Sequence, residues 1–154
     1  MEPLAVPGLV AIDHVGVAVP DLTVAIEFHT NVLGLQLLHR EENSEQGVTE
    51  AMLAPVGDDG AQLQLLAPLT PDSPIARFLD RAGPGLQQLA FRVENIDHAT
   101  GVLRKRGLRL LYDAARTGTG GSRINFVHPR DTGGVLIELV EPASADERTE
   151  AALS

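Results

Sequence analysis

The chain alternates short apolar runs with polar segments rich in capping and turn residues. Residues 10 to 19, VAIDHVGVAV, form a β-branched run ended by Pro20, which predicts a buried strand that stops where the backbone donor is lost. Asp21 then offers an N-cap for a helix through Val24, Ala25, Phe28 and Val32, with Gly34 beyond its end. Asp72, Ser73 and Pro74 give a second start signal, for a short helix over Ile75, Phe78 and Leu79. A third helix is expected over residues 96 to 106, closed by Gly107. Between these, TEAMLAP, AQLQLLAP, LQQLAFRV, RINFVHP and GVLIELVEP read as strands, several ended by proline. Residues 1–9 and the acidic tail 143–154 lack periodicity; the first are expected to be flexible and the second disordered.

The pattern repeats. At an offset of 74, IDHVGVAVPDL lies on LQQLAFRVENI, GAQLQLLAP lies on GVLIELVEP, and Pro55 meets Pro129. GLQLL at 34–38 meets GLRLL at 107–111 at an offset of 73, a one-residue difference in the connection from helix to strand. Matches in the same order at nearly the same offset predict a duplication. Each copy holds a strand, a helix and three strands. The expected organisation is α+β: two fused βαβββ modules in one domain over 10–142, with module 1 at about 10–70, a linker helix at about 72–83 and module 2 at about 84–142.

The repeat also relates the polar residues that interrupt the apolar strands. His14 falls on Gln88, and Gln64 falls on Glu138. A polar group in an apolar strand needs a partner, so four at matched positions are more simply explained as one cluster than as four accidents. If an approximate twofold axis relates the modules, these side chains converge. They offer one imidazole nitrogen and three oxygens, a set suited to a divalent cation such as manganese, cobalt or magnesium. Taken singly, His14 reads as a hydrogen-bonded core residue and Gln64 as a surface residue beside Gln62. Glu138, between Leu136, Ile137, Leu139 and Val140, is hard to explain without a function.

Composition narrows the partners. The 154 residues include 44% hydrophobic and 21% charged side chains and no cysteine, which suits a soluble globular domain and excludes disulfides and thiolate metal sites. No apolar run approaches the roughly 18 residues of a membrane span, and no basic-then-apolar leader opens the chain, so a cytoplasmic protein is expected. A net charge of -9 argues against nucleic acid as a partner. The charge is uneven, however: residues 104–130 hold seven basic residues and one acid, leaving -15 for the rest. Either this stretch is a solvated helix end with scattered arginines, or it is a local site for an anionic small molecule.

The two-module organisation resembles the vicinal oxygen chelate superfamily, and IDHVGVAVPDL, HREENSEQGVTEAMLAP, LQLLAPLTPDSPIARFL and GTGGSRINFVHPRDTGGVLIELVEP resemble the methylmalonyl-CoA epimerases. The resemblance covers about residues 10 to 142. It implies an eight-stranded open cleft, four strands from each module, that holds a divalent metal, cobalt or a substitute. It also implies interconversion of (2R)- and (2S)-methylmalonyl-CoA. His14, Gln64 and Glu138 fall on its ligand positions and Glu50 on its catalytic glutamate. One position departs: the family reads His-His where this chain has Gln87 and Gln88, and the second His is a ligand. A glutamine carbonyl is a weaker donor than imidazole toward transition metals.

The reaction removes the C2 proton and returns it on the opposite face, with a metal stabilising the enolate. Glu50, in an otherwise apolar strand, suits the base, and burial would raise its proton affinity; the alternative is a solvent-facing edge glutamate. The repeat places Ile124, not a second glutamate, at the position matching Glu50. Glu138 is the best available second proton carrier, while a water or an enolate turning past a single base stay open. His128 reads as structural. Ser122 and Arg123 in GTGGSRINF are candidates for the phosphates of an acyl-CoA, against a plain hairpin with an exposed arginine. Alternative functions are a glyoxalase I-like isomerase or lyase and a non-catalytic, resistance-type ligand-binding protein. Relatives suggest a homodimer.

Overall fold

The computed structural model describes residues 5–153. In chain order it contains β1 (Leu9–Ala18), α1 (Leu22–Glu27), β2 (Gln36–Asn43), β3 (Val48–Ala54), β4 (Gln62–Pro68), α2 (Pro74–Ala82), β5 (Gly85–Val93), α3 (Ile96–Lys105), β6 (Arg116–Thr117), β7 (Arg123–Val127), β8 (Ile137–Glu141) and α4 (Ala145–Leu153). One π-helical turn, Phe28–Val32, prolongs α1. The strands form an eight-stranded mixed sheet in the order β2-β3-β4-β1-β5-β8-β7-β6. The chain divides into two compact units, Asp13–Leu89 and Met1–Ile12 with Ala90–Ser154, so the boundaries fall inside β1 and β5.

The helix starts are those the capping residues call for. The Asp21 side chain accepts from Val24 N, Ser73 accepts from Ala76 N with Pro74 opening α2, and Asn95 accepts from His98 N at the head of α3. Each such cap contributes about 1 kcal/mol.

In the unit Asp13–Leu89, β1 runs parallel to β4, and β3 is antiparallel to both β2 and β4. Alternation along β3 and β4 sends Ala51, Leu53, Leu65 and Ala67 to one face, where Leu22 and Ile26 of α1 cover them. Glu50, Met52, Gln64 and Leu66 take the other face. One end of that face is closed by Ile75 of α2, which packs on Ala18, Val48 and Leu66. The second unit repeats the scheme. Its α3 residues Ile96, Ala99 and Leu103 pack on Val93, Val127 and Leu139, while Ala90, Ile124, Phe126 and Val140 form the opposite cluster.

The duplication is legible pair by pair. In β3–β4, Thr49, Glu50, Ala51, Met52 and Leu53 face Ala67, Leu66, Leu65, Gln64 and Leu63. In β7–β8, Arg123, Ile124, Asn125, Phe126 and Val127 face Glu141, Val140, Leu139, Glu138 and Ile137. Every one of these positions is displaced by 74.

Within GLRLL the pairing shrinks to one residue, Leu110, which makes an isolated bridge to Val127 as Leu37 pairs with Leu53 in the first module, and β6 has only two residues. The reason lies in side chains that occupy the local backbone. Asn125 accepts from Tyr112 N and donates to Tyr112 O, and Arg104 donates to the carbonyls of Tyr112 and Asp113. The tail expected to be disordered contains α4, which Ser144 and Glu147 cap reciprocally: Ser144 N donates to Glu147 Oε2 and Glu147 N donates to Ser144 Oγ. The segment 1–9, expected to be flexible, makes backbone contacts from Ala5 onward. Residues 1–4 lie outside the described residues, but Ala5 O accepts from Arg106 Nη1, Gly8 O accepts from Glu94 N, and β1 begins at Leu9.

Candidate active site

The face of the first unit turned away from α1 carries His14, Glu50, Gln64 and Gln88, all buried, at 2%, 3%, 3% and 8% exposure. The register explains their meeting. Gly16 of β1 and Met52 of β3 both face Gln64 of β4, one on each side, which brings β1 and β3 to the flanks of that glutamine. The side chains then form a continuous chain of hydrogen bonds. Gln64 Nε2 donates to Glu50 Oε2 at 2.9 Å. Gln88 Nε2 donates to Gln64 Oε1 at 3.0 Å and lies 3.3 Å from His14 Nε2. His14 Nδ1 lies 2.6 Å from Asp13 Oδ2. Buried polar groups that pair in this way escape the desolvation penalty each would carry alone.

Two acceptors, His14 Nε2 and Gln64 Oε1, therefore converge on one electropositive group, the Gln88 amide NH2. A cation would satisfy the same two lone pairs, and rotation of the Gln88 amide would add a third donor atom, its carbonyl oxygen. The donor set is one nitrogen with amide oxygens, which fits a hard or borderline divalent ion. Among the described residues no group of three His, Cys, Asp or Glu side chains is gathered as a metal cluster.

Glu138 lies buried on β8 in the other unit, opposite Phe126. Its place in the register matches that of Gln64, and Ile124 occupies the place of Glu50. Ser122 is buried in the loop before β7, where its backbone carbonyl accepts from Gly118 N. Arg123 is engaged: Nη2 donates to both oxygens of Asp97 at 2.9 and 3.0 Å, and Nη1 reaches Glu141 Oε2 at 3.5 Å. A phosphate would compete with two carboxylates for this guanidinium. Other basic residues of the 104–130 stretch are likewise spent on the fold, Arg109 on Asp131 and Arg116 over the Tyr112 ring at 3.9 Å. His128 caps the turn Pro129–Asp131 through Nδ1, a structural role.

Two residues of the site have no counterpart in the sequence reading. Asp13 holds the imidazole, and only its place beside His14 hinted at this. Gly16 makes room: a Cβ there would stand 2.5 Å from Gln88 Cγ. Its backbone φ is not positive, so the need is for space rather than for an unusual conformation.

The chain matches the Glyoxalase/Bleomycin resistance protein/Dioxygenase superfamily over residues 13–126. It is 53% identical to methylmalonyl-CoA epimerase from Mycobacterium tuberculosis, whose crystal structure superposes with a TM-score of 0.87 over 97% of this chain and 96% of that one. A methylmalonyl-CoA epimerase solved in complex with methylmalonyl-CoA and NH4+ is 43% identical, with a TM-score of 0.83, and is matched over 88% of this chain and 96% of that one. The mitochondrial methylmalonyl-CoA epimerase of Homo sapiens is 39% identical over 130 residues, 83% of this chain and 72% of the human protein. By profile, identity, coverage and fold, the chain belongs to the methylmalonyl-CoA epimerase family of the glyoxalase/bleomycin resistance/dioxygenase superfamily.

Proposed function

We propose that the protein interconverts (2R)- and (2S)-methylmalonyl-CoA with the help of a divalent cation. The observation that carries the reading is the buried Glu50 carboxylate, joined through Gln64 and Gln88 to His14 on one sheet face. A carboxylate excluded from water and held by an amide donor has a fixed direction and can accept a proton. In the reaction Glu50 takes the proton from C2. The electron pair of the broken C–H bond delocalises onto the thioester carbonyl, and return of a proton to the opposite face gives the other epimer.

His14, Gln64 and Gln88 would hold the cation, and the repeat adds Glu138 as its fourth ligand and as the second proton carrier. Bound there, cobalt, manganese or a similar ion supplies Lewis-acid stabilisation of the negative charge that develops on the substrate oxygens. The protein's own contribution is to bury the base, orient its carboxylate and keep the acceptors of His14 and Gln64 aimed at one place.

The experiment is to supply (2R)-methylmalonyl-CoA and follow the appearance of the (2S) form, with ethylmalonyl-CoA for acyl selectivity and propionyl-CoA as a thioester lacking the carboxylate. Conversion of the malonyl-type thioesters is expected. A folded, cation-supplied protein that leaves the (2R) form unchanged overturns the reading.

A further inference from the structure

The contact between Asp13 and His14 is not one that a strand supplies by default. Successive strand residues point to opposite faces. His14 is buried beside Gln88, yet Asp13 Oδ2 comes within 2.6 Å of its Nδ1 while the Asp13 side chain keeps 16% of its exposure. That separation is short for an N–H···O hydrogen bond, the direction in which a carboxylate acceptor acts. An ionised carboxylate only accepts, so Nδ1 carries the proton. On the other side of the ring the Gln88 amide nitrogen, which only donates, stands 3.3 Å from Nε2. These two contacts agree on one form of the ring, with the proton on Nδ1 and a lone pair on Nε2.

We infer that Asp13 is a positioning residue for this site: it holds His14 as the Nδ1–H tautomer, with the Nε2 lone pair turned toward Gln88 and Gln64. The inference rests on the reading of His14 as a ligand and adds the group that prepares it. In the opposite tautomer the Nε2–H would face the Gln88 NH2, donor against donor, and Gln88 would have to release Gln64 to relieve the conflict. The negative charge behind the ring also makes Nε2 a better donor to a cation. Losses of such an outer carboxylate typically lower metal affinity about 10–100-fold.

The test uses the full chain, stripped of metal and labelled with 15N, in which two-bond 1H–15N correlations report the tautomer of each of the five histidines. His14 is assigned by the signal lost in His14→Gln. The wild-type chain should show the Nδ1–H pattern, and Asp13→Ala should lose it and bind cobalt about 10–100-fold more weakly by calorimetry. An Nε2–H pattern for wild-type His14, or an Asp13→Ala chain with unchanged tautomer and cobalt affinity, overturns the assignment. If Asp13→Ala does not fold, the wild-type spectrum decides on its own. Neither readout uses turnover. A chain that binds cobalt through Nδ1–H His14 but does not epimerise would support this assignment and contradict the proposed reaction.

Discussion

His14 and Gln88, 74 residues apart and equivalent by the internal repeat, meet in the structure with their Nε2 atoms 3.3 Å apart. Two copies of one ancestral position have become an imidazole acceptor and an amide donor. Gln88→His would place a second imidazole there, and because imidazole is the stronger donor to transition metals, cobalt should bind more tightly. Calorimetry on the folded variant checks this, and unchanged or weaker affinity would remove Gln88 from the cation's neighbourhood.

Gly16 and Gln88 should be energetically coupled. A Cβ at Gly16 would stand 2.5 Å from Gln88 Cγ and 3.2 Å from Leu66 Cδ1, so Gly16→Ala should cost about 1–3 kcal/mol through overpacking. In a Gln88→Ala background the nearest clash is gone, and the cost should fall by about 1 kcal/mol or more. Denaturant unfolding of the four chains measures the coupling. Equal costs in both backgrounds would mean that Gly16 is not what accommodates Gln88.

Arg123 tests where the basic stretch acts. With its guanidinium against Asp97 and Glu141, Arg123→Ala should lower stability and change the Michaelis constants of a CoA thioester and a pantetheine thioester alike. A rise confined to the CoA thioester would return Arg123 to the role of phosphate handle.

Asp131 gives a pH signature. Its hydrogen bond from the Arg109 guanidinium lowers its pKa from 3.8 to about 2. A carboxyl lowered in the folded state contributes stability above its unfolded pKa and loses that contribution as pH falls through the folded one. Asp131→Asn should therefore be less stable than wild type at neutral pH, with the difference shrinking between pH 3.8 and about 2. A difference independent of pH across that window would show that the pair contributes through packing alone.

Much of this architecture could be read from the chain because the duplication repeats side-chain chemistry as well as pattern. The 74-residue offset identifies His14 with Gln88 and Gln64 with Glu138, and the ladders of β3–β4 and β7–β8 reproduce it at every pair. What escaped depends on contacts that no offset encodes. GLRLL copies GLQLL in sequence, but Asn125, at the position of Ala51, takes the backbone groups of Tyr112 and ends the likeness. The Arg123 signal was one of charge, and charge alone does not disclose that Asp97 and Glu141 already answer it. Ser144 and Glu147 have the spacing of a capping box, a local sign of α4 that the acidity of the tail concealed.

The central claim is that Glu50 takes the C2 proton with the assistance of a divalent cation, and exchange of that proton with solvent tests it most directly. Methylmalonyl-CoA is incubated in deuterated water with wild-type protein or Glu50→Gln, each stripped of metal and then given cobalt or manganese, and deuterium at C2 is followed by NMR. Wild type should exchange with cation and lose exchange without it, and Glu50→Gln should fall by about 100-fold or more while retaining the fold and the bound metal. Full exchange by Glu50→Gln, or by wild-type protein shown by elemental analysis to be free of metal, would contradict the account.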